Sequence, residues 1–318
     1  MPIVSSTFRP PPWLANGHVQ TMLSSILPRR IDLSFGRERL EMEDGDFLDL
    51  DWAKRGAPRL IILSHGLEGS SNQTYIRGMG AEMHRAGWDV LAWNFRGCSG
   101  EANRLPRAYH SGETDDLRTV IGLAARRYEK IALVGFSLGG NVTLKFLGES
   151  APPEKVIGAV AISAPIDLES CADALDTRFG NRIHLYRFLI SLIVRIEAKS
   201  RRFPDRIDAL GARRIRTIRE YDDRFTAPLH GFRDAEDYWK RSSSRQFLPH
   251  ISVPTLLLNA RNDPLLTESA FPEDEARANP NLFLEAPVSG GHVGFLDRRD
   301  GWRPWSERRV ADFLSQYG

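Results

Sequence analysis

The stretch IALVGFSLGGN, residues 131–141, decides how the chain folds. An apolar run ends at Gly135, a lone hydroxyl follows at Ser137, and Gly139-Gly140 close the segment. A short continuous apolar run bounded by glycine reads as a buried strand, and the small residues after it suit a closely packed helix. Gly-x-Ser-x-Gly between a strand and a helix is also the sharp elbow that lifts a serine hydroxyl above a sheet. Its backbone is strained, and its crowded neighbours need glycine. The surrounding sequence decides between a packing role and a chemical one.

Outward from this segment the periods alternate. RLIILSH (59–65), DVLAWNF (89–95), KIALVGF (130–136) and VIGAVAIS (156–163) read as strands. Helical patterns cover 75–86 with a stop at Gly87, 114–128 behind Thr114 as N-cap, and 138–149. Upstream, RERLEMEDGDFLDLDW reads as two strands about the turn dipeptide Asp44-Gly45. The rhythm breaks between 166 and 250, where helical patterns dominate. It resumes with TLLLNA (255–260), a helix near 267–278, LFLEAP (282–287) and a last helix from about 303 to 316. Near-continuous apolar strands alternating with helices imply an α/β fold, a mostly parallel twisted sheet with helices on both faces. The expected organisation is a Pro-rich, irregular N-terminal arm (1–36), a core formed by 37–165 and 251–318, and an inserted helical cap (166–250).

Bulk properties narrow the class. Of 318 residues, 42% are hydrophobic and 26% charged, which is ordinary for a globular protein. A net charge of +2 gives no global field for nucleic acid. Two cysteines, Cys98 and Cys171, cannot make a disulfide framework and fit a reducing compartment. The longest apolar run, FLISLIV at 188–194, is too short to span a bilayer, and the N-terminus lacks the pattern of a signal peptide, so a cytoplasmic location is expected. Charge is unevenly spread, because residues 178–219 hold twelve Lys/Arg against three Asp/Glu. With the apolar stripe YRFLISLIVRI, that segment suits peripheral contact with anionic lipid or an acidic substrate. The plainer expectation is a solvated face whose arginines pair with carboxylates of the sheet domain.

If Ser137 is a nucleophile, it needs a general base, and the base needs an orienting acid. With the serine on an elbow, the partners follow in the order acid, then histidine. His292, in the Gly-rich loop VSGGHVGF after the last core strand, can swing over the elbow. His250 precedes a strand and would lie at the wrong end of the sheet. Asp263, in NARNDPLL, leaves the end of the preceding strand and is preferred to Asp167, Asp222 and Asp223. Backbone N–H groups of Leu138, at the helix start, and of Leu67, after His65-Gly66, are the expected oxyanion donors. His65 then fixes its loop. Asn94, Arg96 and Tyr109 are expected to border the substrate pocket. No metal-ligand spacing or phosphate-binding loop occurs, so no metal and no cofactor are expected.

Eight segments carry a resemblance: PPWLANGHVQT (11–21), HGLEGSSNQTY (65–75), NFRGCSGEANR (94–104), YHSGETDD (109–116), GFSLGGN (135–141), YDDRFTAPLHGF (221–232), NARNDPLL (259–266) and GGHVGF (290–295). With them the chain resembles the YheT-like α/β-hydrolases, bacterial relatives of eukaryotic lipid-ester hydrolases that carry a membrane anchor. The resemblance implies an α/β-hydrolase fold, Ser137 as nucleophile, His292 as base, Asp263 as acid, and hydrolysis of small-molecule carboxylic esters, from short acyl to lipid esters. Acyl transfer by the same residues is an alternative. So is a non-catalytic module that binds lipid or a partner through the basic cap.

Overall fold

The computed structural model describes residues 2–297 and 303–318; residues 298–302 of the expected core lie outside the described residues. The strands of the main sheet are β1 (Ile3–Val4), β2 (Gly36–Glu41), β3 (Phe47–Ala53), β4 (Arg59–Ser64), β5 (Asp89–Trp93), β6 (Lys130–Phe136), β7 (Val156–Ile162), β8 (Thr255–Leu258) and β9 (Leu282–Glu285). They lie in the order β1-β9-β8-β7-β6-β4-β5-β3-β2. Pairing is parallel from β1 through β5 and antiparallel where β3 joins β5 and β2 joins β3.

The central strands are apolar on both sides because both faces are covered. Along β6, Ile131 and Leu133 enter one core, and Ala132, Val134 and Phe136 enter the other. β4 divides in the same way, Leu60 and Ile62 against Ile61 and Leu63. Successive side chains of a strand point to opposite faces, so an unbroken apolar run is what a doubly covered sheet requires.

The helices are α1 (Gly17–Ile26), α2 (Thr74–Arg85), α3 (Thr114–Ala125), α4 (Leu138–Glu149), α5 (Leu168–Thr177), α6 (Arg182–Arg202), α7 (Ile218–Tyr221), α8 (Ala227–Leu229), α9 (Ala235–Ser242), α10 (Glu273–Ala278) and α11 (Trp305–Leu314). A π-helical turn, Asp222–Thr226, joins α7 to α8. Between β7 and β8 the described residues form helices and turns with no strand, and α5 to α9 share an apolar cluster of their own, including Leu189, Ile196, Tyr221 and Trp239.

Several local expectations need correction. The N-terminal arm is not irregular: Ile3 and Val4 pair with Leu284 and Glu285 at the sheet edge, and α1 occupies 17–26. The N-cap of α3 is Glu113, while Thr114 sits inside the helix and donates its hydroxyl to Glu149 at 2.5 Å. The helix expected over 267–278 is a 3₁₀ turn, Glu268–Ala270, followed by α10. Pro272, the N-cap of α10, stands between them and cannot extend a preceding helix.

Candidate active site

Ser137 follows β6 with φ +51° and ψ −120°, the strained conformation that aims its side chain off the C-terminal edge of the sheet. The glycines beside it are sterically required. A Cβ on Gly135 would lie 2.2 Å from the Gly139 carbonyl oxygen, and one on Gly139 would lie 2.4 Å from that of Ser64. The elbow therefore presses the start of α4 directly onto the end of β4.

Three loops bring the other expected residues to Ser137. The turn after β8 carries Asp263, whose buried carboxylate accepts the Leu265 N–H through Oδ1 at 2.9 Å and faces His292 Nδ1 through Oδ2 at 2.8 Å. The loop after β9 carries His292, whose Nε2 lies 2.9 Å from Ser137 Oγ. With the ring proton on Nδ1, held by Asp263, Nε2 is free to accept the serine proton. The third loop follows β4 and lays Gly66 against the serine: a Cβ there would sit 3.1 Å from Ser137 Cβ. Gly69 N–H closes a tight turn on Gly66 C=O at 3.0 Å, with Glu68 at φ +55°, the geometry of a type II turn. Leu67 stands at the second position of that turn. Leu138 is the first residue of α4, where an N–H has no acceptor within its helix.

His65 holds this arrangement. Phe95 N–H donates to its Nε2 at 3.1 Å and its Nδ1 lies 2.8 Å from the Gly66 oxygen, so the ring is neutral. Burial pushes its pKa down to about 4. Among the described residues, five non-glycine residues have positive φ: Glu68, Ser137, Ser163, Val293 and Phe295. All five lie on loops that converge here, with Ser163 Oγ accepting the Val293 N–H at 2.9 Å. Backbone strain gathered at one place marks where a fold holds side chains against their own preference.

Of the residues expected to border the pocket, Tyr109 does line it. Asn94 and Arg96 line neither cavity beside Ser137. Asn94, just after β5, is buried against β3, donating to Asp51 Oδ2 (2.9 Å) and Asp49 C=O (3.0 Å) and accepting from Ser71 N–H (2.9 Å). The buried Arg96 guanidinium is consumed by Asp116 (2.7 Å), Asp44 (2.9 Å) and Asp46 (3.1 Å). A buried cation needs such partners, and these hold the guanidinium away from both cavities. The rival acids have other partners. Asp167 caps α5, Asp223 accepts the Ala235 N–H, and Asp222 accepts the Trp239 indole N–H.

Ser137 and His292 stand where two cavities meet. One, of about 160 Å³, runs beneath the helices that follow β7 and is walled by apolar side chains such as Leu138, Leu175, Leu192 and Phe225. The other, of about 290 Å³, is a more polar cleft between α1 and α6, where Thr21, Ser24, Ser25, Gln73, His184 and Arg187 stand beside apolar side chains such as Phe188 and Leu265. Among the described residues no three His, Cys, Asp or Glu side chains converge as metal ligands would.

The segment ANGHVQT (15–21) braces the histidine loop. Thr21 Oγ1 accepts the His292 N–H at 2.8 Å, and Gln20 Oε1 accepts the Leu296 N–H at 2.9 Å. Asn262, next to Asp263, donates to Ala15 C=O and accepts the Gly291 N–H at 3.1 Å. No local signal in the sequence points to these bonds, and those made by Ala15, Gln20 and Thr21 join residues more than 240 positions apart.

Residues 59–299 match the family model described as alpha/beta hydrolase fold, and the chain belongs to that family. Within it the chain is YheT-like: it is 36% identical over 324 residues to YheT of Escherichia coli K12, covering 98% of this chain and 94% of that one. It is also similar to Phospholipase ABHD3 of Mus musculus (28% identical; 93% and 75% covered) and to Monoacylglycerol lipase of Saccharomyces cerevisiae (33% identical; 85% and 61% covered). The Pyrococcus furiosus esterase Pf2001 shares the fold with a TM-score of 0.61 at 19% identity, over 91% of this chain and 97% of that one.

Proposed function

We propose that the chain hydrolyses carboxylic esters by a Ser-His-Asp mechanism with an acyl-enzyme intermediate. Ser137 attacks the acyl carbon while His292 Nε2 takes its proton, and Asp263 stabilises the resulting imidazolium. The N–H groups of Leu67 and Leu138 receive the tetrahedral oxyanion, each worth on the order of 10²–10³ in rate. His292 returns the proton to the departing alcohol, and a water activated by the same ring then frees the acyl group. The acyl chain occupies the apolar cavity, and the alcohol part leaves through the polar cleft.

The observation that carries this reading is the in-line relay Asp263–His292–Ser137, at 2.8 and 2.9 Å, set on a strained elbow at the junction of an apolar and a polar cavity. The relatives' names, phospholipase and monoacylglycerol lipase, support a lipid or related acyl ester as substrate. The test is labelling with a fluorophosphonate probe, alongside turnover of p-nitrophenyl esters of increasing acyl length. Wild type should label and turn over, Ser137→Ala should do neither, and His292→Ala should lose labelling. A wild type that neither labels nor hydrolyses any ester in the series would overturn the reading.

A further inference from the structure

The outer face of α6 is apolar where a surface helix is normally polar. Phe179, just before the helix, and Ile183, Tyr186, Ile190 and Val194 along it are spaced by three or four residues and are 44–81% exposed. They therefore form one stripe facing away from the protein. The inward face is filled by Leu185, Leu189, Leu192, Ile193 and Ile196, so the stripe is not needed to hold the helix down. Across the polar cleft, α1 exposes Val19, Met22 and Ile26 in the same three-to-four spacing. The two helices touch through the stacked rings of His18 and His184, 5.7 Å apart. Contiguous exposed apolar surface of this kind marks a place where something docks.

Charge says what docks. The basic run that includes α6 divides into two groups. Arg195 pairs with Glu68, Arg213 with Glu197 and Arg219 with Asp173, while Lys199 is buried against the carbonyls of Leu105 and Arg107. The side chains of Arg182, Arg187 and Arg201 are exposed and form no hydrogen bond or ion pair among the described residues. These three cations belong to the helix that carries the stripe, and Arg182 stands over the ring of Phe179 at 5.6 Å. Round the helix from the stripe, Arg187 comes next and then Ser191 and His184, which line the cleft that opens on Ser137 and His292. The same two helices thus carry both the apolar patch and the walls of the entrance.

We infer that this face of α1 and α6 docks on an anionic phospholipid surface, placing the mouth of the polar cleft against the lipid. Partial insertion of an amphipathic helix with flanking arginines is a standard route to peripheral binding, and each cation near an anionic surface strengthens it. No helix among the described residues is long and apolar enough to cross a membrane, so the contact is one of surface. It rests on the ester-hydrolase reading only in naming the lipid as the source of substrate.

The test uses the full chain, cosedimented with vesicles of phosphatidylcholine alone and of phosphatidylcholine mixed with phosphatidylglycerol. Hydrolysis of soluble p-nitrophenyl acetate is followed in parallel. Wild type should bind the mixed vesicles, less tightly as salt is raised. The double variant Ile183→Glu/Ile190→Glu should bind them at least about tenfold more weakly while hydrolysing the soluble ester at the wild-type rate. Equal binding by wild type and variant overturns the inference, as does a wild type that ignores mixed vesicles. A wild-type dimer that these substitutions make monomeric also overturns it, since the face then belongs to a second copy. Vesicle binding by a wild type that hydrolyses no ester leaves the surface standing and removes the hydrolase reading instead.

Discussion

Glu68, in the turn that lies against Ser137, holds Arg195 of α6 at 3.0 Å and so ties the helices after β7 to the loop after β4. Its carboxylate also accepts the hydroxyls of Tyr109 (2.8 Å) and Ser191 (2.7 Å). A glutamate at φ +55° is costly, since that region favours glycine, and the retained side chain is explained by what it holds. Glu68→Gly should lower thermal stability, because the strain relieved, about 1 kcal/mol, is smaller than the cost of leaving Arg195 and the Tyr109 and Ser191 hydroxyls without their carboxylate. It should lower kcat about tenfold, roughly 1.4 kcal/mol of transition-state stabilisation, by loosening the turn that carries Leu67. KM for a short soluble ester should change little, and Arg195→Ala should reproduce the effect without adding to it. Equal kcat values for wild type and Glu68→Gly would show that the turn is rigid on its own.

Thr21 governs the other side of the site. Its hydroxyl accepts the His292 N–H and donates to Gly17 C=O at 2.7 Å, fixing the histidine loop to α1. Thr21→Val keeps the shape and removes the acceptor, leaving an amide without a partner, at a cost of about 1–3 kcal/mol. Activity should fall about tenfold with KM nearly unchanged, and Thr21→Ser should restore it. Steady-state kinetics on a soluble p-nitrophenyl ester checks all three chains.

The elbow was legible because its information is local. Apolar period, glycine spacing and the strand-to-helix change all lie within residues 131–141. That Asp263 and His292 would stand beside Ser137 was legible from chain order and from the strand each one follows. The assignments of Asn94 and Arg96 failed for a different reason. A polar side chain after a strand end can face a ligand or a buried carboxylate, and their acceptors, Asp51 on β3 and Asp116 on α3, are settled only by tertiary contact. The bracing by α1 was illegible on the same ground. The basic run was half read, since sequence counts charges but does not tell paired arginines from free ones.

Gly139→Ala tests the steric argument for the elbow without touching a reactive group. The new methyl would stand 2.4 and 2.5 Å from the carbonyl oxygens of Ser64 and His65, backbone atoms that cannot turn aside. Overpacking against rigid backbone costs about 1–3 kcal/mol or more. We expect a clear loss in chemical or thermal unfolding and the loss of fluorophosphonate labelling. An alanine variant of wild-type stability would mean that α4 can shift off the end of β4.

Asp222 supplies the pH dependence. Buried in the π turn, it accepts from the Trp239 indole N–H (2.8 Å) and the Thr226 hydroxyl (2.6 Å) and has no cationic partner among the described residues. Burial, reinforced by the charges of Asp176 and Asp223, pushes its pKa up to about 7. In the unfolded chain the group loses its proton near pH 4, whereas the folded chain keeps it until about pH 7. Between those values the folded state binds more protons, so this residue lowers stability as pH rises, by at most about 1.4 kcal/mol per pH unit. Above pH 7 its effect is constant, and below about pH 4 it vanishes. Asp222→Asn preserves the acceptor for Trp239 and cannot ionise. Its stability advantage over wild type, measured by urea unfolding, should be small at pH 4.5, grow through pH 7 and then level off. An advantage independent of pH would mean that the carboxyl group ionises in the folded protein as readily as in water, with the π turn open to solvent.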